Sequence, residues 1–222
     1  TGDGYTEDAA ARQTLHGTTG AATNAAAKSY EGFTAQAVVQ QAIAADGSTV
    51  VEIKYDRNSY EVTYAYVGTA PAGASALPET TEKYGAAVTV AADATAPGYT
   101  FSGWSRNDFT MPAENVTITG SFTANGDTAY TVEHYKQNLT GDGFTLAETE
   151  ELTGKTDTIA TANPKTYTGF TFDGTVEGTV ASGNIAGDGS LVLKLYYTRD
   201  SYKVTYQYTG KVPTGASELP AE

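Results

Sequence analysis

Residues 59–78 read SYEVTYAYVGTAPAGASALP, and residues 201–220 read SYKVTYQYTGKVPTGASELP. The second stretch therefore repeats the first at an offset of 142 residues (201 − 59). This distance is longer than the roughly 20 to 50 residues of a solenoid unit, in which each repeat depends on its neighbours for a core. The sequence therefore predicts an array of small units that fold separately.

Two further motif pairs support the repeat. The stretch KSYEGFT at 28–34 corresponds to KTYTGFT at 165–171, and DGS at 46–48 corresponds to DGS at 188–190. The first pair is offset by 137 residues and the second by 142, so the later copy carries five extra residues between them (142 − 137). The offsets predict two alternating types of unit.

These offsets divide the chain into four segments, in which type one alternates with type two. They are the first segment (1–58, type one), the second (59–128, type two), the third (129–200, type one) and the fourth (201–222, the start of another type-two unit). The first segment opens on TGDGYT, which matches TGDGFT at 140–145. It is therefore expected to lack the counterpart of a predicted strand at 129–139, so that its sheet misses an edge and is frayed or completed by a neighbouring molecule.

Aromatic residues are the expected source of core area. A unit of about 70 residues buries only roughly 60% of its unfolded surface. The chain has no cysteine, which excludes disulfide bonds, but it has 16 tyrosines, seven phenylalanines and one tryptophan. Each aromatic side chain buries about 150–250 Å². Rings are therefore expected to supply the small cores.

The charge of the chain argues against two classes of partner. The sequence has 13 basic and 26 acidic residues, a formal net charge of −13. A surface of this sign repels nucleic-acid phosphates and anionic lipid headgroups. No apolar run approaches the roughly 18 residues of a membrane-spanning helix. We therefore predict neither a nucleic-acid partner nor membrane insertion of this stretch, and expect any export or anchoring signal to lie outside it.

Alternation with a period of two indicates strands. Tyr60, Val62, Tyr64 and Tyr66 fall on one face of a predicted strand, and the same residue types recur at 202, 204, 206 and 208. Both faces are predicted to be core. Further strands are predicted at 49–55, 88–91, 99–104, 116–122, 131–135 and 191–197, with turns at the Asp-Gly and Asn-Gly pairs at 46–47, 125–126, 142–143 and 188–189.

One stretch leaves the fold class open. Residues 7–15 have a helix-forming composition, whereas their counterpart at 146–152 is compatible with strand or helix. Residues 21–28 and 35–45 fit neither period. The predicted fold class is therefore mainly β, with α+β as the alternative.

The third segment resembles mucin-binding-protein (MucBP)-like repeats of Gram-positive surface adhesins. The resemblance rests on YTVEHY at 130–135, the TGDGFT loop, YTGF at 167–170 and KLYYTRD at 194–200. The second segment is similar to the Listeria–Bacteroides repeat, the B-repeat of internalins, through GYTFSGWS at 98–105, FTMP at 109–112 and NVTITGSFT at 115–123. The two resemblances imply tandem β-grasp-like modules in an elongated array, displayed outside the cell and anchored to the cell wall through other regions.

No catalytic, cofactor-binding or metal-binding residues are predicted. His16 and His134 are the only histidines and do not occupy corresponding positions, so a structural role is favoured over a catalytic base. The Gly-Asp-Gly loops at 2–4 and 141–143 lack the spacing of a calcium-binding loop and are interpreted as turns. Trp104 suggests either a platform for sugar stacking or a core anchor, and the small size of the unit favours the anchor.

The predicted function is a non-catalytic stalk or spacer of a bacterial cell-surface adhesin. Binding of mucin glycans or of host glycoproteins such as immunoglobulin is the alternative, and it rests on the resemblance alone. Open strand edges suggest a further alternative, self-association or homophilic adhesion. The acidic run Glu148, Glu150 and Glu151 is interpreted as a solvated face.

Overall fold

The computed structural model describes residues 4–141 and 143–220. Over this part of the chain the regular secondary structure consists of strands and one short 3-10 helix, so the mainly β prediction is confirmed. The helix covers Ala9–Ala11, and the strands are β1 (Phe33–Ala35), β2 (Tyr55–Arg57), β3 (Ser59–Tyr66), β4 (Glu79–Lys83), β5 (Ala87–Val88), β6 (Tyr99–Phe101), β7 (Phe109–Thr110), β8 (Val116–Gly120), β9 (Phe122–Ala124), β10 (Thr128–Gln137), β11 (Phe144–Gly154), β12 (Ile159–Thr161), β13 (Phe170–Phe172), β14 (Ser182–Asn184) and β15 (Val192–Arg199).

The third segment contains a four-stranded mixed sheet in the order β11-β10-β15-β13. Strand β10 pairs antiparallel with β11 and parallel with β15. Alternate residues of β15 point into the core, where Leu193, Leu195 and Tyr197 are each 0% exposed. Burial of each such side chain contributes about 1.5–3 kcal/mol. The period-two pattern of the sequence therefore places one face of β15 in the core.

The second segment repeats this arrangement with a three-stranded sheet, β4-β3-β8. Strand β3 pairs antiparallel with β4 and parallel with β8. Val62 and Tyr64 of β3 are buried against Ile118 of β8, and Tyr60 packs against the same cluster. The predicted core face at 60–66 is therefore confirmed.

Both types share one order of elements although their sequences differ. In each, the first strand (β3 or β10) pairs parallel with the last strand (β8 or β15), and this pairing requires a crossover, which is usually a helix. Here the crossover contains short strands instead, which form the small sheets β5-β7 and β12-β14. In the third segment, β13 pairs with the end of β15. In the second segment, β6 pairs with β9, a short strand that follows β8.

The first segment shows only the end of this pattern. Its strands β1 and β2 pair in the register that β13 and β15 use, with Phe33 opposite Arg57 as Phe170 is opposite Arg199. Of the described residues of this segment, Gly32 is the only one that is buried. The prediction that the missing counterpart is an edge strand is wrong. Strand β10 lies inside its sheet, because it pairs with both the second and the last strand.

The absence of a counterpart of β10 also explains why one predicted strand does not form. The prediction of a strand at 49–55 is wrong except for its last residue, where β2 begins. The corresponding part of β15 pairs with β10, whereas β2 pairs only with β1. A strand persists only where its backbone groups find a partner. The other predicted strands coincide wholly or in part with β5, β6, β8 with β9, β10 and β15.

The core face predicted for the fourth segment is wrong. Its expected core face is exposed, by 75% at Tyr202 and 53% at Val204, and residues 201–220 contain no strand. Strand β3 is held between β4 and β8, and no described segment takes those positions beside 201–208. An unpaired strand of this length is not stable in water.

The two ambiguous counterparts differ in structure. Residues 146–152 lie in strand β11, whereas residues 7–15 contain only the 3-10 helix, which Asp8 caps by accepting a hydrogen bond from the Ala10 N–H. Strand β11 is an edge of its sheet. Edge pairing with another chain stays a prediction.

The chain divides into two compact units. One comprises Thr1–Ala70, Ala74–Ala94 and Phe101–Phe122, and the other comprises Pro71–Gly73, Thr95–Thr100 and Thr123–Glu222. Each unit has its own apolar cluster, built around Val62 and Ile118 in the first and around Leu193 and Leu195 in the second.

Candidate functional site: the junctions between segments

One residue, Asn58, joins the first segment to the second. It lies between β2 and β3, and its backbone is hydrogen-bonded on both sides. Its N–H donates to the carbonyl of Gly32 (2.8 Å), and its own carbonyl accepts from the N–H of Tyr84 (2.8 Å). Its side-chain oxygen accepts from the hydroxyl of Thr34 (2.6 Å). The connection therefore contains no free linker residue.

Tyr84 packs against the end of the first segment. Its ring meets that of Phe33 edge-on at 5.6 Å, an arrangement that contributes about 0.5–1.5 kcal/mol beyond burial. The Arg57 guanidinium lies 5.1 Å from the centre of the Phe33 ring and donates to the Tyr84 carbonyl (2.7 Å). Rings and backbone thus hold the turn after β4 against the β1-β2 pair.

A second junction, centred on Asn125, has the same design. The Asn125 N–H donates to the carbonyl of Gly98 (2.9 Å), and its carbonyl accepts from the N–H of Thr156 (3.0 Å). Its side-chain oxygen accepts from the hydroxyl of Thr100 (2.7 Å). Asn125 therefore bonds to Gly98 and Thr100 of its own segment and to the turn after β11, as Asn58 bonds to its own segment and to the turn after β4.

Polar groups replace the aromatic pair in the second junction. The Thr156 hydroxyl, 1% exposed, donates to the Gly98 carbonyl (2.8 Å) and, having a single proton, accepts from Thr128 (2.6 Å). The Tyr99 hydroxyl donates to the carboxylate of Asp157, and this hydrogen bond raises the pKa of Tyr99. Asp157 has φ 62°, a left-handed conformation that aspartate tolerates better than most residues.

A tight turn with glycine at its third position precedes each junction. The turns are closed by backbone hydrogen bonds from Phe33 to Tyr30 (3.2 Å) and from Tyr99 to Ala96 (3.2 Å). Gly32 and Gly98 both have φ 75°, as the third position of a type II turn requires.

The two glycines also allow close approach. A Cβ at Gly32 would lie 2.2 Å from the Tyr84 ring, and one at Gly98 would lie 2.4 Å from the Gly187 Cα. Only a residue without a side chain fits either position.

The end of the third segment carries the same features. Gly169 has φ 78°, Asp200 donates its N–H to the Gly169 carbonyl (3.0 Å), and Thr171 donates to the Asp200 side chain (2.7 Å). The Arg199 guanidinium lies 4.8 Å from the centre of the Phe170 ring. Here a Cβ at Gly169 would meet nothing within 4 Å.

The sequence contains a signal for these sites that motif analysis did not use. A Gly-aromatic-Thr tripeptide occurs at 4–6, 32–34, 98–100, 143–145 and 169–171. At 32–34, 98–100 and 169–171 the threonine bonds to an Asn or Asp that lies 24, 25 or 29 residues further along the chain, and this pairing marks the junctions. The signal is short and spans both segment types, so a search for long repeats does not find it.

His134 belongs to a buried polar network in the third segment. The residue is 0% exposed, with Nδ1 2.9 Å from the Tyr197 hydroxyl and Nε2 2.7 Å from Glu150 Oε1. The Tyr197 hydroxyl accepts from the Lys165 N–H (2.9 Å), so its own proton is available for His134 Nδ1. In this arrangement Nδ1 accepts from the Tyr197 hydroxyl and Nε2–H donates to Glu150. The structural role favoured for His134 is supported by this network.

Two members of the acidic run form ion pairs although their side chains stay part-exposed. Glu148 accepts from Lys165 Nζ (2.6 Å) and from the Tyr167 hydroxyl (2.6 Å). Lys165 Nζ also lies 3.1 Å from Glu150. The carboxylates are engaged because alternate residues of β11 turn toward the lysine and the histidine. Glu151 lies on the other side of the strand, 3.4 Å from the Thr131 hydroxyl.

Acid is expected to weaken this network. The hydrogen bond from Lys165 lowers the pKa of Glu148, and those from His134 and then Lys165 lower the pKa of Glu150. Because both values are lowered, their stabilisation is complete above the ordinary pKa of 4.5 and is lost as pH falls below it. The side chains are 42% and 30% exposed, so solvent screening keeps the effect modest.

Urea unfolding monitored between pH 7 and pH 3 checks this expectation. The control is the double variant Glu148→Gln with Glu150→Gln, whose stability should fall less over the same range. Equal slopes for the two proteins would contradict the assignment.

Trp104 packs as the favoured core anchor. Its ring meets Tyr64 and Phe101 edge-on, each at 4.8 Å, and its Nε1–H donates to the Ala92 carbonyl (3.0 Å). A shallow cleft beside it is lined by Asp93 among others. Because its ring is engaged with these neighbours, Trp104 is explained by packing.

The remaining candidate residues are His16 and the aspartates of the Gly-Asp-Gly loops. His16 is exposed. Asp3 and Asp142 of the Gly-Asp-Gly loops lie outside the described residues. Within 4–141 and 143–220, no group of three or more His, Asp or Glu side chains could hold a metal ion. No helix of this part of the chain is long and apolar enough to cross a bilayer.

Comparison with known proteins identifies one segment. Residues 60–126 match the family model of the divergent InlB B-repeat domain. No curated protein sequence matches the chain. Among solved structures, the chain is similar to domains 3–4 of the Streptococcal High Identity Repeats in Tandem (SHIRT) from a cell surface protein, at 17% identity and a TM-score of 0.25, over 64% of this chain and 98% of that one. The similarity of the second segment to the B-repeat is thus confirmed, and that of the type-one segments to MucBP stays a prediction.

Proposed function

We propose that the chain is a non-catalytic extracellular repeat region that acts as a stalk or spacer of a bacterial cell-surface adhesin. The observation that carries this proposal is the construction of the junctions. Asn58 and Asn125 each bond through the backbone N–H to one segment and through the carbonyl to the next. A spacer that must hold a distant region away from a surface requires such short connections, because a flexible linker shortens as it coils.

The family match supports this proposal. Residues 60–126 match a repeat domain. The resemblances predicted for both segment types imply display outside the cell. The net charge of −13 suits a surface that repels its neighbours and stays solvated. Anchoring to the cell wall is part of the proposal and depends on regions beyond these residues. Binding of mucin glycans or host glycoproteins stays a prediction.

Small-angle scattering tests the proposal. A globular protein of this length has a radius of gyration of about 17 Å. A stalk is expected to exceed this value clearly, whereas a radius near it would contradict the proposal. Because unpaired ends also enlarge the radius, the rigidity of the junction is measured separately.

Spin labels provide that measurement. The chain has no cysteine, so Thr81→Cys together with Thr149→Cys gives two unique attachment sites on exposed strand positions. Pulsed dipolar spectroscopy is expected to give one narrow distance distribution. The control protein carries four extra residues, Gly-Ser-Gly-Ser, after Asn125. This insertion should broaden the distance distribution. Equally broad distributions in both proteins would show that the junction does not restrain the segments.

A further inference from the structure

We propose that the surface formed by Gly169, Phe170, Arg199 and Asp200 is a docking site for the Lys-Tyr-Gly turn of another type-two segment. In the second segment this turn consists of Lys83, Tyr84 and Gly85. The inference deepens the proposed stalk function and rests on it, because it assigns the partner that lengthens the array.

The surface matches an occupied one in the same chain. The Asn58 N–H donates to the Gly32 carbonyl (2.8 Å), and the Asp200 N–H donates to the Gly169 carbonyl (3.0 Å). The guanidinium of Arg57 lies 5.1 Å from the centre of the Phe33 ring, and that of Arg199 lies 4.8 Å from the centre of the Phe170 ring. The β1-β2 and β13-β15 pairs also share their register. The Tyr84 turn covers this surface in the first segment.

The space for the turn is present in the third segment. A Cβ added at Gly32 would meet three atoms of the Tyr84 ring between 2.2 and 2.6 Å, whereas one added at Gly169 would meet nothing within 4 Å. In the first junction the Asn58 carbonyl accepts from the N–H of Tyr84. The corresponding Asp200 carbonyl accepts no hydrogen bond from any described residue. Arg199 Nε already donates to the Gln137 carbonyl (3.1 Å), which leaves its Nη groups for the turn, as Arg57 uses Nη1 toward Tyr84. The position that the Tyr84 ring takes at Gly32 is open at Gly169.

The sequence directly after the surface identifies the occupant. Residues 201–220 begin immediately after Asp200 and repeat residues 59–78, which begin immediately after Asn58. Completion of this fourth segment on the same polypeptide would supply counterparts of β4, β8 and the Tyr84 turn. The new turn would then reach the surface by the route that the second segment uses.

The arginine makes the site selective for a type-two turn. Arg57 donates to the Tyr84 carbonyl (2.7 Å), and Arg199 occupies the same register position. In the second junction the residue before Asn125 is Ala124, and the turn received there is that of Thr156 and Asp157. A surface with phenylalanine and arginine thus receives the Tyr-Gly turn, whereas the surface with Tyr99 and no arginine receives the Thr-Asp turn.

The test uses the full chain extended by a copy of residues 81–128 after Glu222, since the offset of 142 aligns Glu222 with Thr80. Hydrogen exchange is expected to show residues 201–208 protected as strongly as 59–66. A double-mutant cycle then combines Phe170→Ala with Tyr→Ala at the appended counterpart of Tyr84. The two changes should be coupled, with a shared loss of about two- to tenfold in protection of the appended turn.

A steric variant supports the cycle. Gly169→Ala should be mild in the unextended chain and should reduce protection of the appended turn in the extended one, as Gly32→Ala is expected to do at the first junction. The inference is overturned if the appended segment folds but the cycle shows no coupling and Gly169→Ala has the same effect in both chains. It is also overturned if residues 201–208 stay unprotected. Neither result alters the scattering of the unextended chain, which tests the stalk separately.

Discussion

Gly98→Ala is expected to destabilise the chain by about 2–5 kcal/mol. Its φ of 75° costs an L-residue roughly 1–2 kcal/mol. The new Cβ would also lie 2.4 Å from the Gly187 Cα and 2.8 Å from the Thr156 hydroxyl oxygen, where backbone must move, and such overpacking costs a further 1–3 kcal/mol or so. The junction at Asn125 is therefore expected to open before the core of the third segment unfolds.

Gly169→Ala is the matched control for this change. Gly169 has nearly the same φ, 78°, but its Cβ would meet nothing within 4 Å, so only the conformational cost of about 1–2 kcal/mol applies. Urea unfolding gives the free energies, and hydrogen exchange at Thr156 reports the junction. Equal losses for the two variants would mean that close packing at Gly98 does not stabilise the junction.

Tyr197→Phe is expected to cost about 2–4 kcal/mol. The change removes one hydroxyl that bonds to His134 Nδ1 and to the Lys165 N–H, and each partner left unsatisfied costs about 1–3 kcal/mol. Tyr197 and His134 are both 0% exposed, so water does not replace the lost bonds without rearrangement. Burial also raises the pKa of Tyr197, because removal from water disfavours the charged phenolate.

Tyr55→Phe provides the comparison within the same chain. The Tyr55 hydroxyl accepts from the Lys28 N–H at 2.8 Å, as that of Tyr197 accepts from Lys165, but Tyr55 is half-buried and has no histidine partner. A loss of about 1 kcal/mol or less is expected. Thermal and urea unfolding of both variants decide the matter. A Tyr197→Phe protein as stable as Tyr55→Phe would show that the histidine contact adds no stability.

The strand pattern was predictable where a strand has partners in its own segment. The alternation at 60–66 correctly predicts the core face of β3, since β4 and β8 enclose it. The same alternation at 202–208 fails to form a strand, and so does the stretch rich in β-branched residues at 49–54. Periodicity reports which face a strand would bury, whereas pairing decides whether the strand forms.

The topology was less accessible than the strands. Nothing in residues 129–139 indicates that their strand lies inside the sheet, because an interior strand and an edge strand can have the same alternation. The parallel pairing of β10 with β15 joins residues about 60 apart and depends on the fold as a whole. The missing strand of the first segment was therefore assigned to the wrong place.

The junctions were missed because their residues are few and far apart. Asn58 and Thr34 are 24 residues apart. The Asn58 carbonyl accepts from Tyr84, which lies in a turn further along the chain. The pairing of Glu148 and Glu150 with Lys165 likewise needed β11 to be placed beside β10. Composition alone predicts that such carboxylates are solvated.

The two kinds of junction set the smallest length by which the protein can grow. If one segment were duplicated alone, a surface with phenylalanine and arginine would meet a Thr-Asp turn, or the Tyr99 surface would meet a Tyr-Gly turn. Duplication of a neighbouring pair keeps every surface with its own turn. The repeat distance of 142 residues is such a pair, so insertions or deletions of this length would preserve both kinds of junction without a new contact.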